Sequence, residues 1–282
     1  LIPAHRVEFV KKSLDLCVMT SRTEILVAAV DAAMAELSTL PSRGFTKLKI
    51  DIGANLDPIT SGDNETIVLA IEPVVHAKIA RRPRMIIVPA AVGETDGVAN
   101  LTVYGSRGGM SRAEASSLTP LRAATSNTFL PGVQLPVPLL SARRLLSSIP
   151  KEISLVLLKT DAQNYDFKIV QATGGALRRA VSVKNEVDLK AGAGGGYNAS
   201  NDICNDFMPL MSRQGFRLTC LITGRHARPV VIARTSAQLE DFCLRRQQGT
   251  GATSTLARWW GDAYWSREAS SPEERGPCDP KG

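Results

Sequence analysis

The sequence predicts an α/β fold with a mostly parallel sheet, and three observations support this prediction. Short, continuous apolar runs cover residues 48–52, 67–71 and 85–88, and such runs are typical of parallel strands buried on both faces. The first run ends at Asp51 and a glycine turn. The second ends at Glu72, about 20 residues later, a spacing at which α/β proteins bind the ribose of a nucleoside cofactor.

The first half of the chain opens with a predicted helix over 22–37. Its apolar residues recur at helical spacing, and Ser21 is a suitable N-cap. A break rich in Pro and Gly separates this helix from the three apolar runs. Two further strands are predicted at 99–104 and 134–138, because a glycine turn precedes the first of them. The segment 105–132 between them is rich in Ser, Gly and Arg, so it is either a surface loop or a substrate lid.

The second half contains the most apolar run, over 153–158, which predicts a central strand. That run ends in Lys159-Thr160-Asp161, and a later strand carries Glu186 near its end. Ligands of open α/β sheets bind at the carboxyl ends of the strands, so these acids should share one edge with Asp51 and Glu72. The remaining elements predicted are helices over 143–148, 167–172 and 204–214, a strand over 180–187, and a hairpin over 216–222 and 230–234.

Length and composition favour one main domain with two extensions. The chain has 282 residues, of which 44% are hydrophobic, enough for a sizeable core. We expect an N-terminal helical extension (1–44), the main domain (45–246) and a C-terminal extension (247–282). The last is partly disordered, and its three tryptophans dock a short helix. No apolar run reaches 18 residues, which excludes a transmembrane helix, and a start at Leu1 is consistent with further residues upstream.

Charge and cysteine content narrow the class of protein. The net charge is +7, but the basic residues form small clusters and aromatic content is only 5%, so a nucleic-acid binder is not expected. Five cysteines without a CxxC pair argue against both a disulfide framework and a zinc site, and favour a reducing, cytoplasmic compartment. The three Asn-x-Ser/Thr triplets would matter only in a secreted protein, and we interpret them as chance matches. They begin at Asn64, Asn100 and Asn198.

Several motifs resemble, in order, those of the FkbM-type family of S-adenosylmethionine-dependent methyltransferases. The resemblance covers residues 45 to 235, and three short matches in sequence are more specific than one. Asp51-Ile52-Gly53-Ala54-Asn55 is similar to the first motif of the family, Ala70-Ile71-Glu72-Pro73 to the second, and Pro89-Ala90-Ala91-Val92-Gly93 to the third. Later matches are Ser116-Ser117-Leu118, the stretch 137–146, the run from Leu158 to Asp166, and Glu186.

This resemblance implies a class I methyltransferase (Rossmann-like) fold, in which a mostly parallel seven-stranded sheet carries helices on both faces. It implies S-adenosylmethionine as cofactor and, as acceptor, a hydroxyl group on a sugar or another natural-product-like small molecule. Glu72 would bind the ribose, and Ala91 and Val92 would flank the adenine. The methionine part would lie against Asp51, Gly53 and Asn55, with Ala54 leaving room for its approach.

Transfer to a hydroxyl also requires removal of a proton. We hypothesise that Asp161 is the base or substrate anchor and that Glu186 is the second candidate, because acids on one sheet edge shift each other's pKa. An equally simple interpretation is that both only hydrogen-bond neighbouring loops. Asp161, Asp166 and Glu186 are hard oxygen donors, but their spacing is not diagnostic of a metal site, and no metal is expected.

Two departures from the family pattern keep other functions open. Asp57 stands where the family has a second glycine, and we expect it to cap a helix that begins at Pro58. Asn164 replaces another glycine, and Asp166 a glutamate. One alternative is a non-catalytic binding or scaffold protein on a decayed methyltransferase fold. A weaker one is a nicotinamide-dependent oxidoreductase, which is disfavoured because a G-x-G-x-x-G motif and a Tyr-x-x-x-Lys pair are absent from the sequence.

Overall fold

Two β-sheets organise the protein in the computed structural model. The residues described are 23–55, 57–74, 82–106, 116–119, 129–190, 201–223, 230–249, 260–267 and 278. The strands among them are β1 (Lys47–Ile52), β2 (Thr66–Ile71), β3 (Met85–Val88), β4 (Ala91–Gly93), β5 (Gly97–Ser106), β6 (Phe129–Ser141), β7 (Ser154–Thr160), β8 (Ala180–Asp188), β9 (Arg217–Thr223), β10 (Val230–Ala233) and β11 (Trp260–Ser266). The α-helices are α1 (23–37), α2 (Ala142–Ser147), α3 (Asp166–Ala172), α4 (Met208–Arg213) and α5 (Ser236–Gln247). Short 3-10 helices cover Pro41–Arg43 and Gly174–Arg179, and a π-helical turn, Ile203–Phe207, precedes α4.

The larger sheet has eight strands in the order β10-β9-β11-β8-β7-β1-β2-β3. Strands β3, β2, β1, β7 and β8 are parallel neighbours, whereas β11 runs antiparallel between β8 and β9, and β10 pairs antiparallel with β9. The smaller sheet has the order β4-β6-β5, with β4 parallel and β5 antiparallel to β6. The α/β class is confirmed.

The prediction of a seven-stranded class I methyltransferase sheet is wrong. The main sheet has an eighth strand, because the hairpin β9–β10 adds an edge strand beyond β11. The long strands β5 and β6 pair with each other, so they form a separate sheet with β4 instead of extending the main one. Strand β11 lies in the segment 247–282, which the sequence predicted to be a C-terminal extension outside the main domain. Trp260 and Trp265 belong to this strand and not to a short docked helix.

One hydrophobic core holds the helices on the sheet. All five described helices bury apolar side chains in the same cluster, together with Leu48, Ile50 and Ile52 of β1. Side chains alternate along a strand, so Lys49 and Asp51 lie on the opposite face of β1. The described helices thus share one core, while the opposite face carries Lys49 and Asp51 on β1 and the buried Val68 and Ala70 on β2.

Four of the five cysteines are joined in disulfides. Cys204 pairs with Cys243 and Cys220 with Cys278, each with a Cα–Cα distance of 5.6 Å. The prediction that the cysteines form no disulfide framework is wrong, because the partners lie 39 and 58 residues apart and sequence spacing does not encode such pairs. The prediction of a cytoplasmic compartment rested on unpaired cysteines and loses that support. In the described ranges, none of the helices is long and apolar enough to cross a membrane.

Candidate functional site

The candidate site lies where the carboxyl ends of β1, β2 and β7 meet. The chain passes from β1 to β2 on one side, while β7 pairs with β1 on the other, so the strand order reverses at this point. Open α/β sheets bind ligands at such reversals, because the two connections diverge and leave a crevice. Asp51, Glu72 and Asp161 lie within a residue or two of these strand ends. Glu186 is level with Asp161, because Asn185 of β8 pairs with Thr160 of β7, so the four acids share one sheet edge as the sequence predicted.

Asp51 is fully buried and supports the loop that follows β1. One carboxylate oxygen accepts a hydrogen bond from Lys159 Nζ at 2.7 Å, and the other accepts one from the amide of Ile59 at 2.8 Å. Burial alone would lower the pKa of Lys159, but the charges of Asp51 and Asp161 raise it overall. Asp51 therefore orients the loop 53–60 and holds a buried ammonium group.

The glycine turn lies directly against the end of β7. Gly53 has φ of 74°, and a Cβ at this position would lie 2.0 Å from the carbonyl oxygen of Asp161. Glycine is therefore required by the approach of the Asp161 backbone, whereas the sequence had suggested the approach of a ligand. Ala54 is buried, and its amide donates to the carbonyl of Ile71 at 3.3 Å.

Asn55 is the residue of this turn that has unused hydrogen-bonding capacity. It adopts a left-handed conformation with φ of 47°, and its amide donates to Glu72 Oε2 at 3.0 Å. Its side-chain Oδ1 is buried and has no hydrogen-bond partner among the described residues. A buried acceptor of this kind is uncommon in folded proteins and marks a place where a ligand or water donor is expected.

Glu72 is only 5% exposed and already holds two backbone amides. Its Oε2 accepts from Asn55, and its Oε1 accepts from the amide of Val74 at 2.9 Å. The pKa of Glu72 is raised because burial penalises the charged form more than these two hydrogen bonds favour it, and Asp51 and Asp161 add like charge. Each carboxylate oxygen has two acceptor positions, so, counting the described residues, one on each remains for a ligand hydroxyl.

Ala91 and Val92 are core residues. Val92 belongs to the main hydrophobic core, and Ala91 to a smaller cluster that also includes Val74. Ala91 is thus connected through Val74 to the loop that holds Glu72, whereas Val92 points into the core with 2% of its surface exposed.

Asp161 and Glu186 lie on the other side of the reversal. Asp161 Oδ2 is 3.8 Å from Lys159 Nζ, and 42% of the Asp161 side chain is exposed. Burial in the surrounding protein raises the pKa of Asp161. The positive charge of Lys159 opposes this shift, and the negative charge of Asp262 adds to it. Because 42% of the side chain is exposed, water screens much of the shift. The pKa of Glu186 is raised well above its usual value, first by burial and then by Asp161 and Asp166.

Sequence reasoning missed a row of polar residues on the face opposite the helices. Asp51, Lys159, Lys184 and Tyr264 are register partners across β1, β7, β8 and β11. Lys184 Nζ lies 3.1 Å from Asp262 and 5.2 Å from the centre of the Tyr264 ring. The alternation of charged and apolar residues in β8 was a usable signal, because it shows that one face of that strand is not core.

The loop after β7 explains one departure from the family pattern. Gln163 and Asn164 are both left-handed, with φ of 50° and 67°. Asparagine tolerates this conformation better than most residues, so Asn164 can replace the usual glycine. Its side-chain amide donates to Asp188 at 3.2 Å, and the Ser117 hydroxyl donates to the carbonyl of Gln163 at 2.9 Å.

Asp166 is fully buried below this loop. Its Oδ1 accepts from the amide of Ala162 at 3.0 Å, and its Oδ2 accepts from Asn201 at 3.1 Å. Burial, with a contribution from Asp161, raises the pKa of Asp166 to about 6. Its hydrogen bonds hold the loop, and no group of three His, Cys, Asp or Glu side chains is arranged to bind a metal within the described ranges.

Asp57 does not cap a helix. Residues 57–65 form a loop, and the Asp57 side chain is 95% exposed and pairs with Arg82 at 3.0 Å. Arg82 also donates to the carbonyl of Pro58 at 2.9 Å. The predicted helix is therefore wrong, and Arg82 and Asp51 hold this loop by hydrogen bonds to Pro58 and Ile59.

Comparison with known proteins adds no family to this geometry. No protein-family model, curated protein or solved structure matches the chain.

Proposed function

We propose that the chain binds S-adenosylmethionine at the carboxyl ends of β1, β2 and β7 and catalyses methyl transfer to a hydroxyl group of a small molecule. The observation that carries the proposal is the joined pair Glu72 and Asn55 at the strand reversal. Among the residues that the structure describes, a carboxylate with free acceptor positions and an unpartnered amide oxygen lie side by side in this pair. The motif order from 51 to 186 supports the same cofactor by resemblance.

The residues present fit the chemistry of this cofactor. Glu72 would accept hydrogen bonds from ribose hydroxyls, and the buried Asn55 Oδ1 would accept one from the ammonium group of the methionine part. When bound, the cofactor supplies an electrophilic methyl group. The protein contributes mainly by holding the acceptor oxygen close and in line, because positioning supplies most of the rate in such transfers.

Asp161 is the residue placed to receive the proton of the acceptor hydroxyl. It is a partly exposed acid at the strand ends, where burial raises its pKa and so strengthens it as a base, while Lys159 at 3.8 Å favours its charged form. Glu186 is more deeply surrounded and its raised pKa favours the protonated form, so it acts as a hydrogen-bond donor or reserve acid.

The first test is calorimetry with S-adenosylmethionine, S-adenosylhomocysteine and NAD, on the wild type, Glu72→Gln and Glu65→Gln. Glu65 is an exposed acid in the β1–β2 connection and provides a matched loss of charge. We expect both sulfur cofactors to bind and Glu72→Gln to weaken them by about 10- to 100-fold, the cost of losing hydrogen bonds to a charged group. Binding of NAD alone, or of none of the three at millimolar concentration, would reject the proposal.

One observation favours a non-catalytic binding protein as the second candidate. Of the acids near the strand ends, Asp51, Glu72 and Asp166 all accept hydrogen bonds from backbone amides, roles that support the site without turnover. Measurement of S-adenosylhomocysteine release with a panel of hydroxylated acceptors separates the two candidates. A methyltransferase releases it, and Asp161→Asn slows that release without weakening cofactor binding. A binding protein takes up the cofactor and releases none.

A further inference from the structure

Two Asn-x-Thr triplets lie on the described surface, and the disulfides change their interpretation. They are Asn64-Glu65-Thr66 and Asn100-Leu101-Thr102, and neither has proline in the middle. Such triplets are acceptors for N-linked glycans only in the secretory compartments. The third triplet begins at Asn198, outside the described residues.

The disulfides indicate an oxidising compartment. All four cysteines are buried, with exposures between 0% and 6%, and each pair joins segments far apart in sequence. Cys204–Cys243 joins the π-helical turn before α4 to α5, and Cys220–Cys278 joins β9 to the C-terminal segment. Structural disulfides of this kind are rare where glutathione keeps thiols reduced.

Both asparagines are exposed at positions that can carry a bulky group. Asn64 lies in the loop between β1 and β2 with exposed neighbours on either side, and its Oδ1 accepts from Arg84. Asn100 is exposed on β5, at the edge of the smaller sheet, while the next residue, Leu101, is buried. We propose that Asn64 and Asn100 are N-glycosylation sites of a protein that folds in the secretory pathway.

The positions fit two consequences of the modification. Asn64 lies near the amino ends of β1 and β2, and the six residues of β2 separate it from the candidate site by about 20 Å at roughly 3.3 Å per residue. A glycan there leaves the site open. A glycan on Asn100 covers an exposed position of β5, two residues from the antiparallel pairing of Thr102 with Ser117.

The reaction is a glycosyl transfer whose donor is a lipid-linked oligosaccharide pyrophosphate. The side-chain nitrogen of asparagine forms a bond to the anomeric carbon, and the bond from that carbon to the pyrophosphate oxygen breaks. The nitrogen loses one proton, and the lipid pyrophosphate leaves. No oxidant or reductant takes part.

The test uses the full chain isolated from the cells that make it. The protein is trapped with acid and alkylated before and after reduction, which counts the free and the disulfide-bonded cysteines. Its mass is then measured before and after treatment with peptide N-glycosidase, which removes N-linked glycans. We expect four cysteines to be blocked until reduction, and the mass to fall on glycosidase treatment. More than one free cysteine in the trapped protein, or a mass that the glycosidase leaves unchanged, would overturn the proposal.

Variants then assign the sites in a eukaryotic secretory host, all in an Asn198→Gln background. Asn64→Gln and Asn100→Gln should each remove one glycan, and the double variant should carry none. Thr66→Ser keeps the triplet and should retain the glycan on Asn64, whereas Thr66→Ala should lose it. A glycan that persists in the double variant would contradict the assignment.

Discussion

The closest backbone approach at the candidate site makes Gly53→Ala the most informative substitution. A methyl group there would lie 2.0 Å from the Asp161 carbonyl oxygen and 2.8 Å from its carbon, and both are backbone atoms of the adjacent strand end. A left-handed conformation costs a non-glycine residue about 1–2 kcal/mol. Forcing a methyl group into a packed contact costs about 1–3 kcal/mol more. We therefore expect a total loss of about 2–5 kcal/mol in the free energy of unfolding.

Gly215→Ala is the matched control. Gly215 has φ of 84°, and a Cβ there would meet nothing within 4 Å, so only the conformational cost applies. Urea unfolding followed by circular dichroism gives both values, provided that the slope m is unchanged. Gly53→Ala should be less stable than Gly215→Ala by about 1–3 kcal/mol. Equal losses of stability in the two variants would show that the ends of β1 and β7 do not approach each other at Gly53.

Three other predictions concern Asp166, Asn164 and the disulfide between Cys204 and Cys243. Because Asp166 has a folded pKa of about 6 against an ordinary 3.8, its contribution to stability is complete below pH 3.8 and is lost as the pH rises through 6. The stability difference between wild type and Asp166→Asn should thus shrink by up to about 3 kcal/mol over this interval. A difference independent of pH in urea titrations would refute the assignment. Asn164→Ala should be about 1 kcal/mol less stable than Asn164→Gly, because alanine is strained in the left-handed conformation of this position and glycine is not. Equal urea midpoints for the two variants would contradict this prediction. Replacing Cys204 and Cys243 together by serine should lower the free energy of unfolding by about 4 kcal/mol, because the unfolded chain is no longer constrained by the closed loop. A wild-type urea midpoint that is the same with and without reductant would argue against the disulfide.

Local patterns were sufficient for most of the strands. The runs at 48–52, 67–71, 85–88, 153–158 and 180–187 became β1, β2, β3, β7 and β8 with small shifts at their ends. Such runs supply the buried apolar positions of the sheet, so hydrophobicity alone indicates them. The edge shared by Asp51, Glu72 and Asp161 followed from the same runs, because parallel strands place their carboxyl ends together.

Long-range pairing decided the rest. Strand β11 comes from a segment whose composition suggested a tail, and its place between β8 and β9 depends on partners about 40 to 80 residues away. The row that joins Lys159 to Lys184 and Tyr264 exists only after this pairing, and so do the two disulfides. Chain-closure entropy and core packing determine which distant segments meet, and neither is readable in a local window.

The sequence by itself determined the α/β class, the parallel strands and the acids at their ends, because these depend on short apolar runs and on the residues that terminate them. Only the tertiary structure decided what the acids do. Asp51 holds Lys159 and a loop, Glu72 holds two amides, and Asp161 alone stays open to solvent. The physical reason is that a carboxylate takes its role from the donors that reach it in space, and those donors come from separate parts of the chain.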